Sequence, residues 1–217
     1  MSKIILYHGS NHIIEKPTLG KGKVHNDYGQ GFYCTKHIEL AKEWAVDELQ
    51  NGFVNSYELE LKGLNILHLN SSDYSILHWL SVLVENRTFK DSTPIMAQGR
   101  NYLLNHYHID LSPYDVIVGY RADDSYFAFA RGFLSNSVTL NQLEEAMYLG
   151  DLGMQYFLKS EKAFQQMKYI NAELVDYSDY YPLKSSRNAL ARKRYQEITQ
   201  SLDKNGVYLM DIIRKEG

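Results

Sequence analysis

The stretch from Asn11 to Gln30 constrains the fold more than any other feature, because it joins two strand-like runs and carries no helical period. Pro17, Gly20, Gly22 and Gly29 interrupt any regular pattern across it. Before it lies "KIILYHG", a short apolar run closed by polar residues and glycine, which reads as a buried strand. After it lies "GFYCT", where an aromatic pair following glycine reads as a second strand. A doubly wound dinucleotide fold opens its first helix with a glycine-rich turn directly after the first strand. This chain has no such turn, and its later strands do not alternate strictly with helices. The pattern therefore points away from that fold.

The remaining elements follow from periodicity. "HIELAKEWAVDELQ" carries Leu40, Ala41, Trp44 and Ala45 at helical spacing, with Asn51-Gly52 as the expected stop. "FVNSYELELKG" alternates with a two-residue period, and "LNILHLN" reads as another strand. "SDYSILHWLSVLVENR" is an amphipathic helix with Ser72 or Asp73 as its expected cap, and "TPIMAQGRNYLLNHYH" is a second helix. "YDVIVGY" is a buried strand, and Thr139 with Gln142 form a capping box at the head of "SVTLNQLEEAMYLG". "MQYFLKS" is a strand, "EKAFQQMKYI" a short helix and "AELVDYS" a closing strand. Beyond Pro182, "KSSRNALARKRYQEITQSL" is helical and locally basic through Lys184, Arg187, Arg192, Lys193 and Arg194. The division that follows is an α+β domain over residues 1–178 and a C-terminal helical tail over residues 179–217.

Composition limits the chemistry. The 217 residues, 44% of them hydrophobic, suffice for one ordinary core. A net charge of −3 gives no overall electrostatic footprint of a nucleic-acid binder. The lone Cys34 excludes an internal disulfide and any multi-cysteine metal site, and it reads as packing rather than a nucleophile. His106 and His108 lack the spacing and acidic partner of a metal site, so no metal is expected. The apolar run of the N-terminus is too short for a signal peptide, and no stretch reaches transmembrane length. A soluble, cytoplasmic protein without a membrane partner is the expectation.

Three stretches carry chemistry: "LYHGS", "GQGFYCT" and "MQYFLKS". Together they resemble the ADP-ribosyltransferase superfamily, in its poly(ADP-ribose)-polymerase-like and diphtheria-toxin-like branch. More narrowly, "LYHGS … DYGQGFYCT … AKEWA" resembles an uncharacterised bacterial family of that clan, from Ile4 to about Val175. The resemblance implies a split antiparallel or mixed sheet with flanking helices, and NAD as substrate. His8 falls where the family's first-strand histidine hydrogen-bonds the adenosine ribose, which a neutral imidazole can do. Gly9 falls where the backbone meets the nicotinamide amide, and Tyr33 where a ring stacks on nicotinamide. Ser10, Gly31 and Phe32 complete the implied nucleotide-binding set, and Trp44 stands where a second stacking aromatic often lies. Ala41 replaces a serine that often binds the nicotinamide amide, and Gln155 stands in the place of the catalytic glutamate.

Glutamine keeps a hydrogen-bond acceptor but brings no charge and cannot act as a general base. The resemblance therefore implies transfer of a single ADP-ribose unit to a macromolecular acceptor, protein or nucleic acid, rather than chain extension. NAD hydrolysis and a catalytically inert module that binds NAD, ADP-ribose or only a protein partner are the alternatives. Relatives of this kind often act as toxins or effectors in bacterial conflict, sometimes with an antitoxin-like partner. Lys16, Lys21 and Lys23 are candidates to meet the pyrophosphate, with a solvated loop as the plainer reading. In "GYRADDSYFAFARG", Arg121, Asp123, Asp124 and Arg131 read as ion pairs and caps, with an acceptor site as the alternative.

Overall fold

The computed structural model describes residues 3–88, 92–121, 124–149, 153–201 and 203–216. Strand β1 (Lys3–Ser10) is followed by the long irregular connection and strand β2 (Phe32–Thr35). Helix α1 (Ile38–Ala45) leads into β3 (Gly52–Glu60) and β4 (Ile66–His68). Helices α2 (Ile76–Asn86) and α3 (Pro94–His106) precede β5 (Val116–Tyr120). Helices α4 (Asp124–Leu134) and α5 (Leu140–Met147) precede β6 (Met154–Leu158). Helix α6 (Glu161–Gln165), strand β7 (Met167–Val175) and helices α7 (Tyr177–Gln200) and α8 (Leu209–Glu216) close the chain. Among the described residues the strands form one mixed sheet in the order β4-β5-β6-β2-β1-β3-β7, an α+β fold with C-terminal helices. Of the pairings in that sheet, β4 with β5 runs parallel and the others run antiparallel.

The sheet is nearly split at its centre. β1 pairs with β3 over its whole length, and β2 pairs with β6 from Phe32 to Thr35. Between β1 and β2, however, the ladder has the single register position Tyr7 opposite Thr35. Side chains alternate between the two faces of a strand, and two cores record this. Tyr33 and Phe157 face the larger core, built on Trp79, Leu80, Leu83, Leu103, Phe129 and Phe133 from the helices. Leu6, Phe32, Cys34 and Leu158 face the opposite core with Tyr57 and Leu59.

Glycine at position 9 is required by packing. A Cβ there would lie 2.1 Å from the Ala41 carbonyl oxygen and 2.6 Å from the Ala45 nitrogen, so α1 rests directly on the β1 backbone. Helix α7 holds α1 from behind. Arg187 pairs with the buried Glu43, and the Lys184 ammonium donates to the Val46 carbonyl at 2.7 Å and to Asp47 at 3.0 Å. Ala191, Ile198 and Leu209 are buried, so the C-terminal helices pack on the body of the molecule.

Several boundaries differ from the sequence expectation. Helix α1 ends at Ala45, because Val46 is extended and Asp47–Gln50 closes a turn, so Gly52 begins a strand instead of capping a helix. The cap of α2 is Ser75, with His78 as its reciprocal partner, and not Ser72 or Asp73. The segment "MKYI" belongs to β7. Helix α7 starts at Tyr177 and runs through Pro182, which removes one amide donor in its second turn. Helix α4 occupies much of the polar island after β5, and Asp123 lies outside the described residues. The Thr139–Gln142 capping box forms as read, and the Gln142 amide also donates to Ile198 at 2.8 Å and Ser201 at 3.1 Å.

One buried side chain organises the loop after β1. Asn55, fully buried and opposite His8 in the β1–β3 register, accepts from the Ile14 amide at 2.8 Å. It donates to the Ser10 hydroxyl at 3.2 Å and the His12 carbonyl at 3.3 Å. Asn55→Ala takes the acceptor from the part-buried Ile14 amide and removes the donor to Ser10 and His12, and a polar group left unpaired costs about 1–3 kcal/mol. Urea unfolding of the variant should show a loss of about 2–3 kcal/mol with an unchanged m-value. A loss under about 0.5 kcal/mol would contradict this role.

Candidate functional site

The segment "DYGQGFYCT" is built from its buried end outward. Tyr28 is an anchor: its hydroxyl donates to the Tyr120 carbonyl at 2.5 Å and accepts from the Trp79 indole at 3.1 Å. Gly29 has φ +90°, a conformation L side chains rarely adopt. The Tyr33 hydroxyl donates to the Gly29 carbonyl at 2.6 Å and accepts from the Tyr28 amide at 3.1 Å, tying the turn to the strand it feeds. The Gln30 amide donates to the carbonyls of Gly20 and Gly22 at 2.7 and 3.0 Å, folding the loop back on itself. At Gly31 a Cβ would lie 2.3 Å from the Phe157 ring. The glycines thus serve a tight turn and close packing under a loop that borders a cavity.

His8 sits where the β1–β2 ladder fails. Its Nδ1 lies 2.7 Å from the Tyr33 carbonyl, so that nitrogen carries the proton and Nε2 is left as an acceptor. The imidazole also stacks on Phe32 with ring centroids 4.3 Å apart. Loss of hydration lowers the pKa of this half-buried ring below 6.5, with the Tyr33 carbonyl opposing the shift and His12 adding to it. Burial raises the Tyr33 phenol and the Cys34 thiol well above their ordinary values, so both stay protonated and Cys34 is no nucleophile.

Two cavities meet at this seam. The larger, about 580 Å³, is lined by His8, Gly31, Phe32 and Tyr33 together with Lys16, Lys21 and Lys23 of the loop. The smaller, about 360 Å³, is lined by His8, Gly9, Tyr33, Trp44 and Gln155. His8, Lys23, Asn26 and Tyr33 border both. Both volumes fall within the range of small-molecule sites. Ser10 borders neither, because its hydroxyl is engaged with His12 and Asn55 in the loop brace. Trp44 reaches the smaller cavity with the Arg121 guanidinium 3.5 Å from its ring centroid. Glu161 opens α6, away from both cavities.

Gln155 is 5% exposed and lies on β6 opposite Thr35. Its amide nitrogen donates to Asp27 Oδ2 at 3.4 Å, while Arg87 Nε donates to Asp27 Oδ1 at 2.7 Å. The Arg87 guanidinium lies 4.9 Å from the Phe127 ring. Asp27, Arg87 and Arg121 all border the smaller cavity, and the sequence reading assigned the first two no role. The available signal was weak: Asp27 precedes an aromatic residue and a glycine turn, a place where an acidic side chain is either a cap or buried against a partner. Among the described residues, no group of three His, Cys, Asp or Glu side chains is arranged to hold a metal ion. No described helix is long and apolar enough to cross a membrane.

A family model described as "Protein of unknown function (DUF3990)" matches residues 4–169, which span β1 to the first part of β7 and include every residue of both cavities. The chain belongs to this family. No curated protein and no solved structure matches it.

The lowered pKa of His8 gives a stability prediction. Unfolded, the ring titrates near 6.5; folded, it titrates lower, so the unfolded chain binds more protons between those values. The stability His8 contributes is therefore present above about pH 6.5 and lost as pH falls through the folded value. Urea unfolding of wild type and His8→Asn at about pH 8 and about pH 5 should show the wild-type advantage shrinking in acid. An advantage that grows in acid would contradict the assigned direction.

Proposed function

We propose that the protein transfers a single ADP-ribose unit from NAD to a macromolecular acceptor and releases nicotinamide. The observation that carries this reading is the convergence of His8, Gly9, Tyr33, Trp44 and Gln155 on one cavity, from three strands and one helix that are distant in sequence. These are residues on which the resemblance to ADP-ribosyltransferases rests or to which it extends. In this reading Gly9 and the Tyr33 ring take the nicotinamide end. His8 Nε2 accepts from a hydroxyl of the adenosine ribose, as the tautomer set by the Tyr33 carbonyl permits. Lys16, Lys21 and Lys23 bring positive charge to the adjoining cavity, where the pyrophosphate needs it.

Chemically, the bond between C1 of the ribose and the nicotinamide nitrogen breaks with its electron pair passing to the nicotinamide, which leaves neutral. The acceptor nucleophile bonds to C1 and gives up its proton to solvent water. Gln155 supplies a hydrogen-bond acceptor for a ribose hydroxyl as positive charge develops on the sugar. A competing reading, an inert NAD-binding module, is favoured by one observation: the residue at this place is neutral and its amide is already engaged by Asp27.

Proton NMR of NAD incubated with the purified protein, with and without lysate, separates these readings. Transfer predicts lysate-dependent nicotinamide release that falls about a hundredfold in Gln155→Ala and is also lost in His8→Ala and Tyr33→Ala. NAD that binds but is never cleaved, with or without lysate, would favour the inert module. Release that needs no lysate and leaves the protein unmodified would identify a hydrolase.

A further inference from the structure

We infer that Asp27 is a positioning residue that sets which way the Gln155 amide points, so that its oxygen, not its nitrogen, is presented to the cavity. An ionised carboxylate only accepts hydrogen bonds. Asp27 is 3% exposed and is kept in place by Arg87, whose Nε donates to Oδ1 at 2.7 Å. Its other oxygen, Oδ2, lies 3.4 Å from the Gln155 amide nitrogen. Were the amide turned over, its carbonyl oxygen would face that carboxylate, oxygen to oxygen, in a place with little water to screen the repulsion. Asp27 therefore holds the NH2 toward itself.

The Gln155 oxygen is left for whatever enters the cavity. Among the described residues it accepts no side-chain or backbone hydrogen bond, although the residue is nearly buried and borders the smaller cavity. The oxygen is open to the cavity, where an entering group can reach it. The partner it suits is a hydroxyl donor. The carboxylate behind the amide also polarises it, because hydrogen bonds in a chain strengthen one another. Arg87, Asp27 and Gln155 thus form a relay from the end of α2 to the cavity: cation, anion, amide, open acceptor.

This inference rests on the proposed transferase reading for its catalytic consequence, but not for its geometry. A neutral Gln155 becomes a directed acceptor with a negative charge one hydrogen bond behind it. That charge is nearly buried and fixed by Arg87.

The test uses the full-length chain and three variants, Asp27→Asn, Asp27→Asn with Arg87→Gln, and Asp27→Asn with Gln155→Glu. The second removes both charges together, so no guanidinium is left unpaired if the single variant folds poorly. The third lets carboxylate and amide trade places. The introduced amide at position 27 then donates to the introduced carboxylate at position 155, whose second oxygen faces the cavity. Two readouts are taken: the side-chain amide proton resonances of Gln155 in labelled protein without NAD, and nicotinamide release with kcat and the NAD affinity measured separately. The expected result is a downfield amide proton in wild type that collapses in Asp27→Asn and in Asp27→Asn with Arg87→Gln. Alongside it, kcat falls about 10- to 100-fold in those variants, NAD affinity stays within about twofold, and kcat partly recovers in the exchanged pair. An amide signal indifferent to Asp27, an unchanged kcat, or an exchanged pair no better than Asp27→Asn would overturn the inference. A wild type that neither binds nor cleaves NAD would overturn the reading of function and the catalytic consequence with it, while the amide signal alone would still decide whether Asp27 holds Gln155.

Discussion

The contact between the His8 imidazole and the Tyr33 carbonyl is the interaction on which the rest of the site depends. β1 and β2 are neighbours in the sheet, yet they share one ladder position, Tyr7 opposite Thr35. Beyond it the strands diverge, and unpaired backbone groups there need partners. The His8 side chain supplies one by donating Nδ1–H to Tyr33 at 2.7 Å. A side chain thus replaces a rung, and the two cavities share their border at this gap. This is why His8 and Tyr33 border both cavities while Phe32 borders one and Gln155 the other.

A seam of this kind is stable only if both of its walls are held from outside. On the β1 side, Gly9 brings the α1 backbone into contact, and α7 clamps α1 through Arg187–Glu43 and Lys184. Burial pushes the Glu43 carboxyl up and Arg187 pulls it back, so the pair is one whose partners cannot be removed singly without cost. Of the basic residues noted near the C-terminus, Lys184 and Arg187 are therefore engaged at α1 and its exit, and Arg194 pairs with Glu197 on its own helix at 3.4 Å. On the β2 side, Tyr28 plugs into the main core against Trp79 and Phe157, and the Tyr33 hydroxyl fixes the glycine turn. Rigid walls around an irregular loop are the arrangement in which binding residues are commonly found.

Much of this was legible in the sequence. The strands carrying His8, Tyr33 and Gln155 were readable from apolar runs and their polar exits, and three short motifs grouped those residues on sequence alone. What was not legible depends on tertiary contact. The Asp27–Gln155 pair joins positions 128 residues apart, and nothing local marks Asp27 as buried. Helix α4 hid behind charged residues, although Phe129, Ala130, Phe133 and Leu134 line one helical face and are buried. Pro182 read as a boundary, yet the helix forms around it because its flanks are held against α1. The helical pattern of α1 outlasted the helix itself, since Val46 must leave the helix for Gly52 to start β3.

The proposed function turns on whether the seam between β1 and β2 is a nucleotide site. Titrating NAD into isotope-labelled protein and following backbone amides and the His8 ring by NMR tests it most directly. A nucleotide site there predicts shifts concentrated at His8, Gly9, Tyr33 and Gln155 and in the loop carrying Lys21 and Lys23, with His8 Nε2 responding as an acceptor gaining a partner. Saturable shifts that leave these residues untouched, or no shift at millimolar NAD, would contradict it.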